Sequence, residues 1–429
     1  MTPHLFQNLE FFVLLVPVLA LIVLSQYFSK LLGAWVFKVT LIASSLFFLA
    51  GLPGLGWDYT YLMMAVLGIG LVCGYVLLAT NKFMPQMSVW LMRLFWVSVV
   101  ILFGILKFKV VFHLFNNVLN LDSGFIKSLF PLLGFSFLAV KLFSFFVEVA
   151  TGRVKWINPI DYLVYFTFFP TFLSGPITRY PAFTKSVTEA AKSPTHWSVW
   201  QTQLPRFLLG CIKIFAVAGI LKGFALPYLT DKELTVLMTV YIGAIAYYWY
   251  EYINFSGYSD LAISSSKVMG IEVPENFNYP FMATSLTDLW RRWHITLANW
   301  LRDYIYYPLL FTMSKYLKPK SKVLNSLLAA LSIFITFTIC GFWHGEALGM
   351  ILFGVLSGLV LGVETILTQN IGPKFKKFMK GRGHLKLFYN GGARIVTFHI
   401  ALLTFGPVLL SNEQLKIVTE TLKTAIGGT

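Results

Sequence analysis

The sequence predicts an all-α protein that crosses a lipid bilayer many times. Three observations carry that expectation. Of its 429 residues, 57% are hydrophobic and 12% charged, which is more apolar surface than a compact soluble domain can hide. Apolar stretches of about 20 residues, the length that spans a bilayer as a helix, recur from end to end. The short alternating segments of a membrane β-barrel are not the pattern here.

Taken in order, the first apolar stretch is FFVLLVPVLALIVLSQYF, with Glu10 at its outset. It has no basic leader before it and no small-residue cleavage pattern after it, so it reads as a retained first helix rather than a signal peptide. Spanning or deeply buried segments are expected near residues 8–30, 34–52, 58–80, 88–106, 128–150, 160–176, 205–227, 235–254, 297–313, 325–343, 349–368 and 392–411. That is about a dozen, two or three of them re-entrant. With no internal repeat and no soluble insertion, a single membrane-embedded domain over 1–429 is the simplest organisation.

The formal net charge is +16. In a chain this apolar, such a charge points to basic cytoplasmic loops and anionic lipid rather than to nucleic acid. The basic clusters are Lys315, Lys318, Lys320 and Lys322, then Lys374, Lys376, Lys377, Lys380, Arg382 and Lys386. Both fall between apolar segments and are expected on the cytoplasmic side, where they also suit an acidic partner protein. Cys73, Cys211 and Cys340 are far apart in apolar surroundings and read as packing residues. With seven histidines and no Cys-x-x-Cys spacing, no metal site is expected. No P-loop, dinucleotide fingerprint, GxSxG elbow or HExxH is present.

Charges inside apolar segments, Lys107, Lys109, Lys141, Glu148 and Lys213, mark pathways in some membrane proteins and snorkel to an interface in others. The least lipid-like region is 151–320, where Pro, Gly, Arg, Asp, Asn and His recur among aromatic residues, so a site is expected there. In FFPTFLSGPITRYPAF (168–183), Ser174-Gly175-Pro176 interrupts an aromatic segment ahead of Arg179. Arg179 suits either a phosphate or carboxylate partner or an interfacial anchor. Asp260, in FSGYSDLA, and Asn276, in PENFNYPF, are candidates to line a polar cavity.

A helix is expected to begin at Ser285, an N-cap, with Asp288 in its first turn. On one continuous helical wheel, Trp290, Trp293, Leu297 and Trp300 share a face, while Asp288, Arg291, Arg292, Asn299 and Arg302 take the other. His294 sits at the edge of the aromatic face. His344, in TICGFWHGEALG, follows a long apolar run between Gly341 and Gly345, with Trp343 before it. Imidazole moves protons near neutral pH, so His344 is a candidate catalyst. The alternative for each histidine is a buried ring satisfied by one hydrogen bond.

Several separated segments, occurring in order, resemble the membrane-bound O-acyltransferase family: FFPTFLSGPITRY (168–180), FSGYSDLA (255–262), PENFNYPF (274–281), LWRRWHITLANWLRDYIYYPL (289–309) and GFWHG (341–345). The resemblance covers roughly 100–370. Within the family the chain looks most like the membrane proteins of teichoic acid D-alanylation, with alginate and peptidoglycan O-acetylating relatives close behind.

The resemblance implies a ring of tilted helices around a central funnel in a bacterial cytoplasmic membrane. It assigns the catalytic role to His344 and a second site role to His294, with Trp343, Trp293, Arg291, Asp260, Asn276, Ser174 and Arg179 binding substrate or lining the site. It implies no tightly bound cofactor. The acyl donor would be a phosphopantetheine thioester on a small acidic acyl carrier protein at the cytoplasmic face, or else an acetyl donor such as acetyl-CoA. The acceptor would be a hydroxyl of a cell-envelope polymer or an intermediate held by a partner transferase. A transporter and a non-catalytic scaffold are the rival classes. A dozen spans with intramembrane charges suit transport, but no inverted repeat accompanies them.

Overall fold

The computed structural model describes residues 9–52, 56–107, 134–230, 239–345 and 347–409, and every described element is helical. The chain divides into two compact units, residues 1–216 with 254–274 and residues 217–253 with 275–429.

The first unit begins with four long helices, α1 (Leu9–Leu32), α2 (Ala34–Gly51), α3 (Gly56–Phe83) and α4 (Pro85–Lys107). Shorter ones follow: α5 (Phe135–Ala150), α6 (Pro159–Thr167), α7 (Phe169–Phe172), α8 (Tyr180–Ala190) and α9 (Trp197–Cys211), which continues as a π-helical turn over Ile212–Val217. The single segment expected over 160–176 is therefore divided. Phe168 leaves helical geometry between α6 and α7, and the chain turns again at Gly175, where a Cβ would collide with the Thr171 backbone. Only a glycine allows that approach.

The core of this unit is rich in aromatic residues. Phe145 packs edge-on against Tyr162, Phe166 and Tyr180 with ring centroids 5.0–5.8 Å apart. Lys141 lies inside this core instead of snorkelling. Its Nζ donates to the Tyr165 carbonyl and to Thr171 Oγ1, both at 3.3 Å, so its cost of burial is offset by local acceptors. Gln26 of α1 stitches the unit's far end, its Nε2 donating to the carbonyls of Met269 (2.8 Å) and Ala190 (3.3 Å).

The second unit holds α10 (Ala218–Thr230), the first part of α11 (Ala244–Val268), α12 (Leu286–Trp290), α13 (Ile295–Leu301), α14 (Tyr307–Leu317), α15 (Lys322–His344), α16 (Leu348–Asn370), α17 (Gly372–Met379) and α18 (Gly383–Phe405). α15 and α16 form its tightest hairpin. A Cβ on Gly341 would come within 2.6 Å of the Met350 carbonyl oxygen and 2.9 Å of Gly354 Cα, so the two backbones meet where side chains would hold them apart.

Among the described residues, seven helices are long and apolar enough to cross a membrane: Leu14–Leu32, Ala34–Gly51, Thr60–Phe83, Trp197–Ala225, Lys322–His344, Leu348–Asn370 and Gly383–Val408. The chain is thus an all-helical polytopic membrane protein. Of the expected dozen, the segment over 8–30 is described only from 9, that over 128–150 from 134, that over 235–254 from 239 and that over 392–411 only to 409. Lys109 and Glu346 lie outside the described residues. The segment expected over 297–313 is helical throughout, α13 passing through a π-helical turn at Arg302–Tyr306 into α14.

Candidate functional site

The helix expected from Ser285 begins as predicted, but it is not continuous. Ser285 Oγ accepts the Asp288 backbone N–H at 3.1 Å, a standard N-cap bond. The helix then ends at Trp290, and a turn over Arg291–His294 precedes α13. His294 itself takes a left-handed backbone conformation, φ 42° and ψ 51°, which is uncommon for a residue with a Cβ. The single-wheel expectation is corrected accordingly: Trp290 and Trp300 sit on different helices, and Trp293 lies in the turn. Without a glycine or proline at 291–294, the sequence carried no local signal for this break.

What holds the turn is a pair of long-range contacts. The segment after Pro274 runs beside it: Ile295 N–H donates to the Asn276 carbonyl and Asn278 N–H to the Arg292 carbonyl, both at 2.9 Å. The fully buried Asn276 side chain reaches His294, with Oδ1 to Nδ1 at 3.0 Å, and accepts the Thr296 hydroxyl at 2.8 Å. Glu364, in the last third of α16, accepts the backbone N–H groups of Leu286 at 2.8 Å and Thr287 at 3.2 Å. Its carboxylate thus satisfies the first donors of α12. The sequence reading missed Thr296 and Glu364. A lone glutamate in the apolar run of α16 was a signal available for the latter.

His294 is 5% exposed. Burial, and secondarily the neighbouring His344, push its ring well below the ordinary imidazole range, so it is held neutral. His344, the second contributor to that depression, lies 50 positions away in sequence. His344 closes α15 and is half-buried. Its ring meets Trp343 at 4.8 Å and Phe353 at 6.1 Å.

Aromatic rings flank the His344 ring and pack around Trp293, the residue before His294. Trp293 stacks on Tyr248 at 5.3 Å and meets Phe277 edge-on at 5.4 Å, and Trp290 packs on Phe337 at 4.9 Å. Beside them lies a cavity of about 1010 Å³, lined by Asp288, Trp290, Arg291, Arg302, Glu364 and Lys386 among others. Neither histidine lines it. The connection runs through Trp290 on its wall to Phe353 (6.0 Å), whose ring faces His344. Arg291 is exposed at this wall and Arg292 pairs with Asp288 at 2.9 Å.

Ser174, Arg179 and Asp260 belong to the first unit. Ser174 is half-buried in the turn after α7, and Arg179 is the residue before α8. Asp260 is held between two cations, with Arg206 Nε at 2.8 Å and Lys213 Nζ at 2.7 Å. Among the described residues no cluster of three or more His, Cys, Asp or Glu is placed to hold a metal ion.

A model of the membrane-bound O-acyltransferase family matches residues 78–406. The chain is 30% identical over 285 residues to the teichoic acid D-alanyltransferase of Bacillus subtilis, covering 65% of this chain and 68% of that one. It is 31% identical over 292 residues to a Pseudomonas aeruginosa protein named "Probable alginate O-acetylase AlgI", covering 66% of this chain. There the match spans about half of the relative's length, 49%. The teichoic acid D-alanyltransferase of Lacticaseibacillus rhamnosus is 31% identical over 245 residues, 55% of this chain and 59% of that one. With its candidate spans and these bacterial relatives, the chain is a multi-pass protein of the bacterial cytoplasmic membrane.

Proposed function

The chain belongs to the membrane-bound O-acyltransferase family and is an acyltransferase; on that premise we propose that it moves an acyl group from a thioester to a hydroxyl of a cell-envelope polymer or its intermediate. The observation that carries the site assignment is the run of ring contacts that joins the two distant tryptophan-histidine segments: Trp293 stacks on Tyr248, Tyr248 meets Phe405, Phe405 meets Phe353, and Phe353 meets the His344 ring, at 5.3, 5.4, 5.8 and 6.1 Å. His344 takes the proton of the acceptor hydroxyl as its oxygen attacks the thioester carbonyl. The carbon–sulfur bond then breaks and the thiolate leaves, receiving a proton. A thioester is already activated, so the step needs neither nucleotide hydrolysis nor a covalent serine or cysteine intermediate. His294 orients the acceptor or polarises the acyl carbonyl. The packed rings of Trp293 and Trp343 limit water, which would otherwise hydrolyse the donor.

D-alanyl is the acyl group we favour, delivered as a phosphopantetheine thioester on a small acidic carrier protein. The cavity of the second unit supports this reading, because Arg291, Arg302, Lys380 and Lys386 line it and suit the phosphate of such an arm. The acceptor is then a teichoic acid or the intermediate that feeds it. An O-acetyltransferase for alginate or another exopolysaccharide is the second reading, favoured by the match to the alginate relative.

The test is mass spectrometry of envelope polymers from cells with wild-type protein, His344→Ala or no protein, at matched membrane abundance. D-alanyl or acetyl esters that depend on the wild type and vanish with His344→Ala support the assignment, and the added mass names the group. Full ester content with His344→Ala removes His344 from the chemistry. No difference between wild type and deletion leaves transport or scaffolding as the better account.

A further inference from the structure

We infer that Asn276 is a positioning residue that locks the His294 ring as its Nδ1–H tautomer, so that Nε2 carries the lone pair and accepts hydrogen bonds in the acyl-transfer site. The inference rests on the acyltransferase reading above and narrows it, since a neutral ring in this state cannot donate from Nε2 to an acyl carbonyl. Any hydrogen bond at His294 Nε2 is then one that the ring accepts.

The geometry fixes the atoms. Three groups converge on one oxygen of Asn276: Thr296 Oγ1 at 2.8 Å, His294 Nδ1 at 3.0 Å and Thr296 backbone N at 3.4 Å. A backbone N–H can only donate, so the amide atom it faces is the carbonyl oxygen and not the NH2 group. A carbonyl oxygen can only accept, so the proton between Asn276 and His294 belongs to Nδ1. In a neutral imidazole the other nitrogen then bears the lone pair.

Nothing in this arrangement is loose. Asn276 is 0% exposed, and its own carbonyl takes the Ile295 N–H at 2.9 Å. One residue thus grips the backbone just after His294 and the ring itself. The left-handed backbone of His294 is the kind of local strain that persists only where surrounding contacts over-determine it.

The test uses full-length protein in lipid nanodiscs with 13C,15N-labelled histidine, the His294 signal being assigned by its loss in His294→Gln. Ring carbon and nitrogen shifts distinguish the two neutral tautomers. The expected wild-type result is the Nδ1–H form. Asn276→Ala should populate the Nε2–H form and lower kcat about 10- to 100-fold, the scale known for partners that orient metal-bound histidines, with KM for the donor changed less than about threefold. Asn276→Asp still accepts from Nδ1, so it should keep the tautomer and recover most of kcat. Its carboxylate would raise the ring's proton affinity and move the acid limb of the pH–rate profile upward. Thr296→Val removes one donor from the same oxygen and should leave both tautomer and acid limb in place, which a merely structural role for Asn276 would not predict.

An Nε2–H signal in the wild type, or a folded Asn276→Ala protein with unchanged tautomer and kcat, overturns the inference. The spectroscopic result stands apart from catalysis. If His344→Ala and deletion leave envelope acylation unchanged, the acyltransferase site reading fails while the tautomer assignment is still decided by the spectra.

Discussion

Replacing Asp260 by asparagine keeps its shape and removes the charge that Arg206 and Lys213 share. The two ion pairs are short, 2.8 and 2.7 Å, and their side chains are 13%, 26% and 19% exposed for Asp260, Arg206 and Lys213. Removing one partner of a fully buried pair costs about 3–5 kcal/mol, whereas exposed pairs contribute about 0–1 kcal/mol. The partial exposure here places the expected loss near 2 kcal/mol. The measurement is SDS-induced unfolding of purified protein, followed by tryptophan fluorescence, for wild type, Asp260→Asn, Lys213→Met and the double variant. The double variant should lose less than the sum of the singles by about 1 kcal/mol, as expected for groups in direct contact. Acyl transfer per folded molecule should stay within about threefold of wild type. An unchanged unfolding midpoint together with abolished transfer would sink the ion-pair account and put Asp260 in the chemistry.

Glu364→Ala should destabilise the second unit by about 1–3 kcal/mol, the cost of leaving buried donors unsatisfied, while Glu364→Gln, which keeps an acceptor oxygen, recovers most of it in the same unfolding assay. Gly341→Leu drives a side chain into the Met350 carbonyl and Gly354, so the protein's membrane abundance on immunoblot should fall well below wild type. The depressed proton affinity of His294 means that the unfolded chain binds a proton the folded one refuses. Stability is therefore full above the ordinary imidazole value of about 6.5 and declines as pH falls below it, by at most about 1.4 kcal/mol per pH unit. Unfolding midpoints of wild type and His294→Gln between pH 7.5 and 5 check this, and parallel curves would refute it.

The long helices were legible because windows of eighteen or more residues that are predominantly apolar admit few other fates. The residues over 14–32, 34–51, 322–344 and 348–370 all fall where hydropathy placed them. The Ser285 cap was legible too, since it depends on residues three apart. The break at His294 was not, because it is imposed by Asn276, eighteen positions away, and no window of local periodicity contains that bond. Lys141 and Lys213 show a related limit. Sequence marks an intramembrane cation, but only the fold distinguishes the one that donates to a carbonyl in a core from the one that neutralises an aspartate. Asn276 stood out for its motif, while its partner was unreadable until the chain was folded.

Helix α16 acts as a ruler between the two histidines. At Gly354 it meets the Gly341 backbone, one turn before His344, and at Glu364 it holds the N–H groups that open α12, the helix leading to His294. Ten positions of one rigid helix separate those anchors, about 15 Å at 1.5 Å per residue. Loops on either side can lengthen or shorten without altering that interval. A single residue inserted between Gly354 and Glu364 cannot be absorbed in this way, because it would swing the carboxylate about 100° around the axis. In protein engineering this hairpin is therefore the part to transplant whole, with changes of length confined to the chain outside it.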